Sequence, residues 1–111
     1  MEQDEEIEIY NNGPLPLRLK ERAYFPTATA EFALRKSDAL EYLLWCKSKN
    51  IPVLGYDVWY ATNPGPTVPV WADSADVDKC YDVISQIDVE AERERAGHNA
   101  DVVFNIWVDS D

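Results

Sequence analysis

Basic charge is scarce in this chain. Ten lysines and arginines stand against 21 aspartates and glutamates, a net charge of −11 over 111 residues. Holding a nucleic-acid backbone takes lysines and arginines that displace its counterions, so no direct nucleic-acid partner is expected. Glycine is scarce too: of four, three follow Asn, Pro or Ala in turn-like places, and no phosphate-cradling loop exists. No apolar run approaches the roughly 18 residues of a membrane helix. The opening MEQDEEIEIY lacks the basic start and apolar centre of a secretion signal. The expectation is a cytoplasmic protein with no membrane partner.

Groups that do chemistry are equally sparse. His98 is the single histidine and follows a helix stop at Gly97, with no group placed to orient it as a general base. Cys46 and Cys80 each fall on the apolar stripe of a predicted helix, and neither has further soft ligands nearby. They are expected as buried free thiols, not as a disulfide or a metal site. Asp57, Asp73 and Asp101 have no spacing that demands a metal. Serine-nucleophile and CxxC patterns are absent. No enzyme, cofactor or metal is expected.

What is present is clear periodicity. The hydrophobic fraction of 46% with 28% charge is that of a globular chain, and the length suits one domain, 1–111. Residues 1–26 make an acidic tail and extended arm, and 27–109 an α+β core. The start is expected as a frayed tail, or as a strand that begins only at Ile7–Tyr10, and Asn12-Gly13-Pro14 is a turn signal. Leu15, Leu17 and Leu19 alternate as an extended segment, and the bases from Arg18 to Arg22 can neutralise part of the tail. Thr27–Leu34 is strand-like, with Ala28, Ala30, Phe32 and Leu34 on one face. A helix follows, capped at Ser37, with Ala39, Leu40, Leu43, Leu44 and Cys46 inward. Asn50 fits a left-handed cap and Pro52 a stop. Ile51–Ala61 is the second core strand. Across the turn Asn63–Pro66, Thr67–Trp71 returns as a third strand, which Pro69 weakens. Asp73 or Ser74 caps a second helix through Val77, Cys80, Tyr81, Ile84 and Ile87. The charged run 89–96 stays helix-compatible, and Asp101–Asp109 is the last strand. The order β-α-β-β-α-β is that of a ferredoxin-like antiparallel sheet with two helices on one face, with an N-terminal strand as a further option.

Alternation also sorts the strands into faces. Leu54, Tyr56, Val58 and Tyr60 point one way, and Val53, Gly55, Asp57 and Trp59 the other. In the last strand Val102, Phe104, Ile106 and Val108 form the face that helices must cover. Asp57, Trp59, Val103, Asn105 and Trp107 are left on the opposite face. Indoles beside polar groups are the composition of an interaction surface. The alternative is that the N-terminal arm folds across this face and uses the tryptophans as a minor core. Trp45, with Tyr42 near it, falls on the outer side of the first helix as a further contact candidate, and Asp109 extends the acidic end. Trp71 is expected to plug an end of the core.

The helix SDALEYLLWC, the strand IPVLGYDVWY and the closing strand VVFNIWVD, within the span from about Ala28 to Asp109, resemble the small acidic immunity proteins of bacterial polymorphic-toxin and contact-inhibition systems. The resemblance implies binding to a cognate toxin domain with a basic surface, for instance a nuclease, and occlusion of its active site. Asp57 and Asp109 would then steer, and Trp59, Trp107 and Trp45 would anchor. A homodimer that buries two such sheet faces across a two-fold axis is the alternative. A DNA mimic of phage type is a third.

Overall fold

The computed structural model describes residues 6–25, 30–62, 67–97 and 100–109. It opens with a hairpin of β1 (Ile7–Tyr10) and β2 (Gly13–Pro16) and the single-turn helix α1 (Leu17–Lys20). There follow α2 (Lys36–Ser48), β3 (Val53–Thr62), β4 (Thr67–Ser74), α3 (Val77–Gln86), α4 (Val89–Ala96) and β5 (Ala100–Val108). The fold class is α+β, with a two-stranded sheet β1-β2 and a three-stranded antiparallel sheet in the order β4-β3-β5. In a ferredoxin-like sheet the second core strand is an edge. Here that strand, β3, is central, paired with β4 on one side and β5 on the other. The chain before α2 instead joins the far side of β5, where Leu34 and Phe104 exchange backbone hydrogen bonds of 2.8 and 2.7 Å.

The helix-covered face of the sheet is the expected one. Tyr56, Val58, Val102, Phe104, Ile106 and Val108 are buried with Phe32, Leu34, Leu43, Cys80 and Ile84 in the main core. Fully burying a side chain of this size contributes about 1.5–3 kcal/mol, so this layer dominates the fold's stability. Both cysteines are buried free thiols within it. Pro69 sits on the edge strand, opposite Trp59 and beside a register shift, where a missing N–H is tolerated. Trp71 packs against the main core as expected, its indole N–H 3.4 Å from the Tyr56 hydroxyl.

Asn12 joins the N-terminal hairpin to this layer. Its buried amide donates to the carbonyls of Phe32 and Ile106, both at 3.0 Å, and accepts from the Phe32 N–H at 3.1 Å. Gly13, at φ +140, lies against Val108 so closely that a Cβ would stand 2.3 Å from Val108 Cγ2. Leu15 and Leu19 then complete the core. Leu17–Lys20 turns as a helix instead of continuing the expected extended segment. Lys20 pairs with Glu8 at 2.6 Å, so part of the acidic start is neutralised as the charge pattern suggests.

Helix boundaries differ in detail from the sequence expectation. Helix α2 starts at Lys36 with no side-chain cap, so Ser37 lies inside it. Its end is as expected, with Asn50 at φ 57. Strand β4 continues to Ser74, which removes Asp73 and Ser74 as caps. Asp76 caps α3 instead, accepting from the Lys79 N–H at 2.9 Å. Ile87 breaks the helix with an extended ψ, and Asp88 caps α4 through the Ala91 N–H. The expected turn Asn63–Pro66, the start of the Thr27–Leu34 strand and His98 lie outside the described residues.

Candidate functional site

The residues expected on the sheet's second face are there, and the structure divides them into a covered and an open group. Trp59, Ala61, Val103 and Ala33 form a second small core, with Tyr24 packed against it. It forms because the chain through Tyr24 and Ala33 lies along the outer side of β5, the two residues bonding to each other through both backbone groups at 2.8 Å. Trp59 keeps only 9% of its surface exposed. Asn105 is fully buried, its Nδ2 donating to the Phe32 carbonyl at 3.0 Å and to Glu31 Oε1 at 3.2 Å. Trp59, Val103 and Asn105 are therefore structural in the isolated chain, as the arm-covered alternative anticipates.

Helix α2 requires a second correction. Trp45 and Tyr42 are in the main core, not on the outer side, while Leu44, expected inward, is 54% exposed. The N-terminal hairpin covers that side of the helix. The Tyr42 hydroxyl donates to the Pro14 carbonyl at 2.7 Å, its ring meets Phe32 edge-on, and Trp45 stacks on Tyr42 at 5.7 Å. Trp45 has a buried Nε1 without a hydrogen-bond partner. Neither residue is available to a partner in this fold.

The open group is Asp57 with Trp107. Asp57 stands directly across the ladder from Asn105, and Trp107 directly across from Gly55, so the indole reaches Asp57 diagonally. Trp107 Nε1–H donates to Asp57 Oδ2 at 3.4 Å. Both side chains are half-buried. They line a groove of about 500 Å³ that also takes in Leu54, Asp73 and Ser74. Two backbone features shape it. Register shifts between Val53 and Gly55, so Val53 enters the main core and Leu54 turns out, 55% exposed, the reverse of strict alternation. Gly55 lets β4 close in: a Cβ there would stand 2.5 Å from the Asp73 carbonyl oxygen, so the position is filled by the β4 backbone.

The groove is electrostatically one-sided. Burial pushes the Asp57 carboxyl above its ordinary range, and the Trp107 N–H partly opposes the shift. Elsewhere most of the bases are already engaged. Arg35 and Arg93 hold Asp101, Arg22 holds Asp38, Arg95 holds Glu92, Lys47 holds Asp78, and Arg18 pairs with Glu41. Among the described residues no lysine or arginine pairs with Asp57 or Asp73. Asp101, committed to two arginines at the other end of β5, is separated from them, and no group of three or more metal-ligating side chains occurs among the described residues. Asp109 is exposed just past β5, its backbone N–H bonded to the Pro52 carbonyl. Leu54, Asp73 and Ser74 were missed as site residues. The bulge that exposes Leu54 leaves no mark in the hydrophobic pattern, whereas Gly55 beside Asp57 is a detectable sign of a close backbone approach.

No helix among the described residues is long and apolar enough to cross a membrane. Comparison with protein-family models, curated proteins and solved structures finds no match to this chain.

Proposed function

We propose that this chain is a non-catalytic immunity protein. It binds a bacterial toxin domain with a basic surface and blocks that domain's active site. The observation that carries the reading is the Asp57–Trp107 groove: a half-buried carboxylate beside an indole on an acidic chain, without a cation of its own among the described residues. An aromatic that supplies area beside a charge that sets orientation is the composition of a binding hot spot. The surplus of acid, left after most of the bases have paired elsewhere, would steer a basic partner toward it. The anchor set is narrower than the sequence pattern suggests. It comprises Trp107 and Asp57 with Leu54, while Trp59, Trp45, Tyr42, Val103 and Asn105 hold the scaffold.

The test is cellular. Toxin domains with basic surfaces, of the bacterial polymorphic-toxin class, are expressed in a susceptible bacterium with and without this chain. The expected result is restored growth and a stable complex recovered from the cells. Unchanged killing, with the chain present at an equal or higher level than the toxin domain, overturns the reading.

A further inference from the structure

We infer that the outer groove between α2 and α3 is the surface through which two copies of this chain associate. The inference does not rest on the proposed function, because this groove belongs to the helix layer and the Asp57–Trp107 pair to the other face of the sheet. Leu40 and Leu44, four apart on α2, form one stripe left outside the core. Leu44 is 54% exposed and Leu40 half-buried. On α3, Val77 and Tyr81 form the facing stripe and are also half-buried. Between the helices lies a recess of about 290 Å³, lined by Leu43, Leu44, Val77 and Tyr81. Lys47 and Asp78 rim it, paired at 2.7 Å.

Shape and charge together select a second copy as the occupant. The patch holds a projecting leucine beside an apolar recess, and a cation beside an anion. A two-fold axis through such a patch sets each feature against its complement: Leu44 against the recess, and Lys47 against Asp78 of the other copy. Net charge selects the same face. Helix α2 carries two lysines, one aspartate and one glutamate, and α3 one lysine and two aspartates, so the two helices hold −1 of the chain's −11. A basic partner is drawn to the acid-rich remainder. Another chain of −11 is repelled by that remainder and meets the least repulsion at these helices. The free sheet edge, β4, is a poorer place for a second copy, because Pro69 and the register shift beside it interrupt a ladder there.

The test is sedimentation equilibrium of the full chain, in a concentration series up to about 1 mM and at about 0.05 and 0.5 M salt. The expected result is a reversible monomer–dimer equilibrium that tightens as salt screens the repulsion between copies. Leu44→Glu should weaken it at least about tenfold. Leu54→Glu makes the same charge change at a leucine of matching exposure, 55% against 54%, on the sheet instead of the helices. It should shift the equilibrium less than about twofold. Leu44→Ala adds no charge and should still weaken association at least about threefold. Lys47→Glu should weaken it as well, and the exchange of both charges in Lys47→Glu with Asp78→Lys should restore it. Far-UV circular dichroism shows that each variant is folded. A chain that stays monomeric in every condition would overturn the inference. So would equal losses in Leu44→Glu and Leu54→Glu, an unchanged dimer in Leu44→Ala, or a dimer that salt loosens, which ion pairs and not the apolar groove would hold. Protection of cells by a strictly monomeric chain removes this inference and leaves the immunity reading standing.

Discussion

Trp107 and Asp57 lie on neighbouring strands, offset by one pair on the same face, with the indole N–H 3.4 Å from the carboxylate. Trp59 shares that face but is sealed beneath the chain through Tyr24 and Ala33. Two tryptophans with the same strand alternation thus have different tasks, and mutation separates them. Trp59→Ala empties a packed site and should cost about 3–5 kcal/mol. Trp107→Ala, at the wall of an open groove, should cost about 1 kcal/mol. Urea unfolding followed by far-UV circular dichroism measures both. Equal costs would mean that the division between scaffold and site is wrong.

Asp57 makes the groove sensitive to pH. Its folded-state pKa is raised by burial above the unfolded value. The folded chain therefore holds the proton more tightly. Relative to an unperturbed carboxyl, stability is greatest below the unfolded pKa and declines as pH rises through the folded one. Above the folded pKa the charged form carries the penalty in full. Asp57→Asn removes it, so the variant should be the more stable protein at pH 7, with the advantage vanishing below about pH 4. Paired denaturation curves across that range give the comparison. A variant less stable at pH 7 would show that the fold stabilises the charged carboxylate by more than burial penalises it.

The Asn12 clasp can be tested directly. Asn12→Ala removes three buried hydrogen bonds and strands the Phe32 N–H. The loss should be roughly 3 kcal/mol. Native-state hydrogen exchange at Phe32 should rise in step with global unfolding. A loss within experimental error would show that the hairpin docks without it.

Gly13→Ala should destabilise by about 2 kcal/mol or more, since its Cβ would meet Val108 at 2.3 Å and φ is +140. Val108→Ala opens space at that point. The double variant should therefore lose less than the sum of the singles. Strict additivity in a double-mutant cycle would argue against the contact.

Both thiols should be silent in the native protein. Burial raises Cys46 to about 12 and Cys80 to about 11, so almost no thiolate forms at pH 8. Ellman's reagent should react only at the rate of unfolding. Immediate reaction of either cysteine would mean that the α2–α3 layer opens on its own.

Much of this was legible in the sequence. The alternation of β5, the left-handed Asn50 and the apolar stripe of α3 each follow from local rules, and each is where those rules place it. The turn falls earlier than the expected Asn12-Gly13-Pro14, at Asn11–Asn12, with Gly13 and Pro14 already in β2. The orientation of α2 was not. Leu40 and Leu44 match a helical stripe as well as Tyr42 and Trp45 do. What selects the aromatics is the Pro14 carbonyl and Phe32, 28 and 10 residues away in the chain. Strand order was equally hidden, since a pattern of strands and helices does not say that β5 lies between β3 and the chain before α2. The face that carries Asp57 and Trp107 was legible, but how much of it the preceding chain covers depends on contacts no local pattern encodes.

The most direct measurement is calorimetric titration of the toxin domain into the native chain and into Trp107→Ala and Asp57→Asn, each first shown to be folded. Binding through this groove predicts a loss of at least about thirtyfold for Trp107→Ala, the roughly 2 kcal/mol of a hot-spot aromatic, and a comparable loss for Asp57→Asn. Affinities for both variants equal to that of the native chain would contradict it.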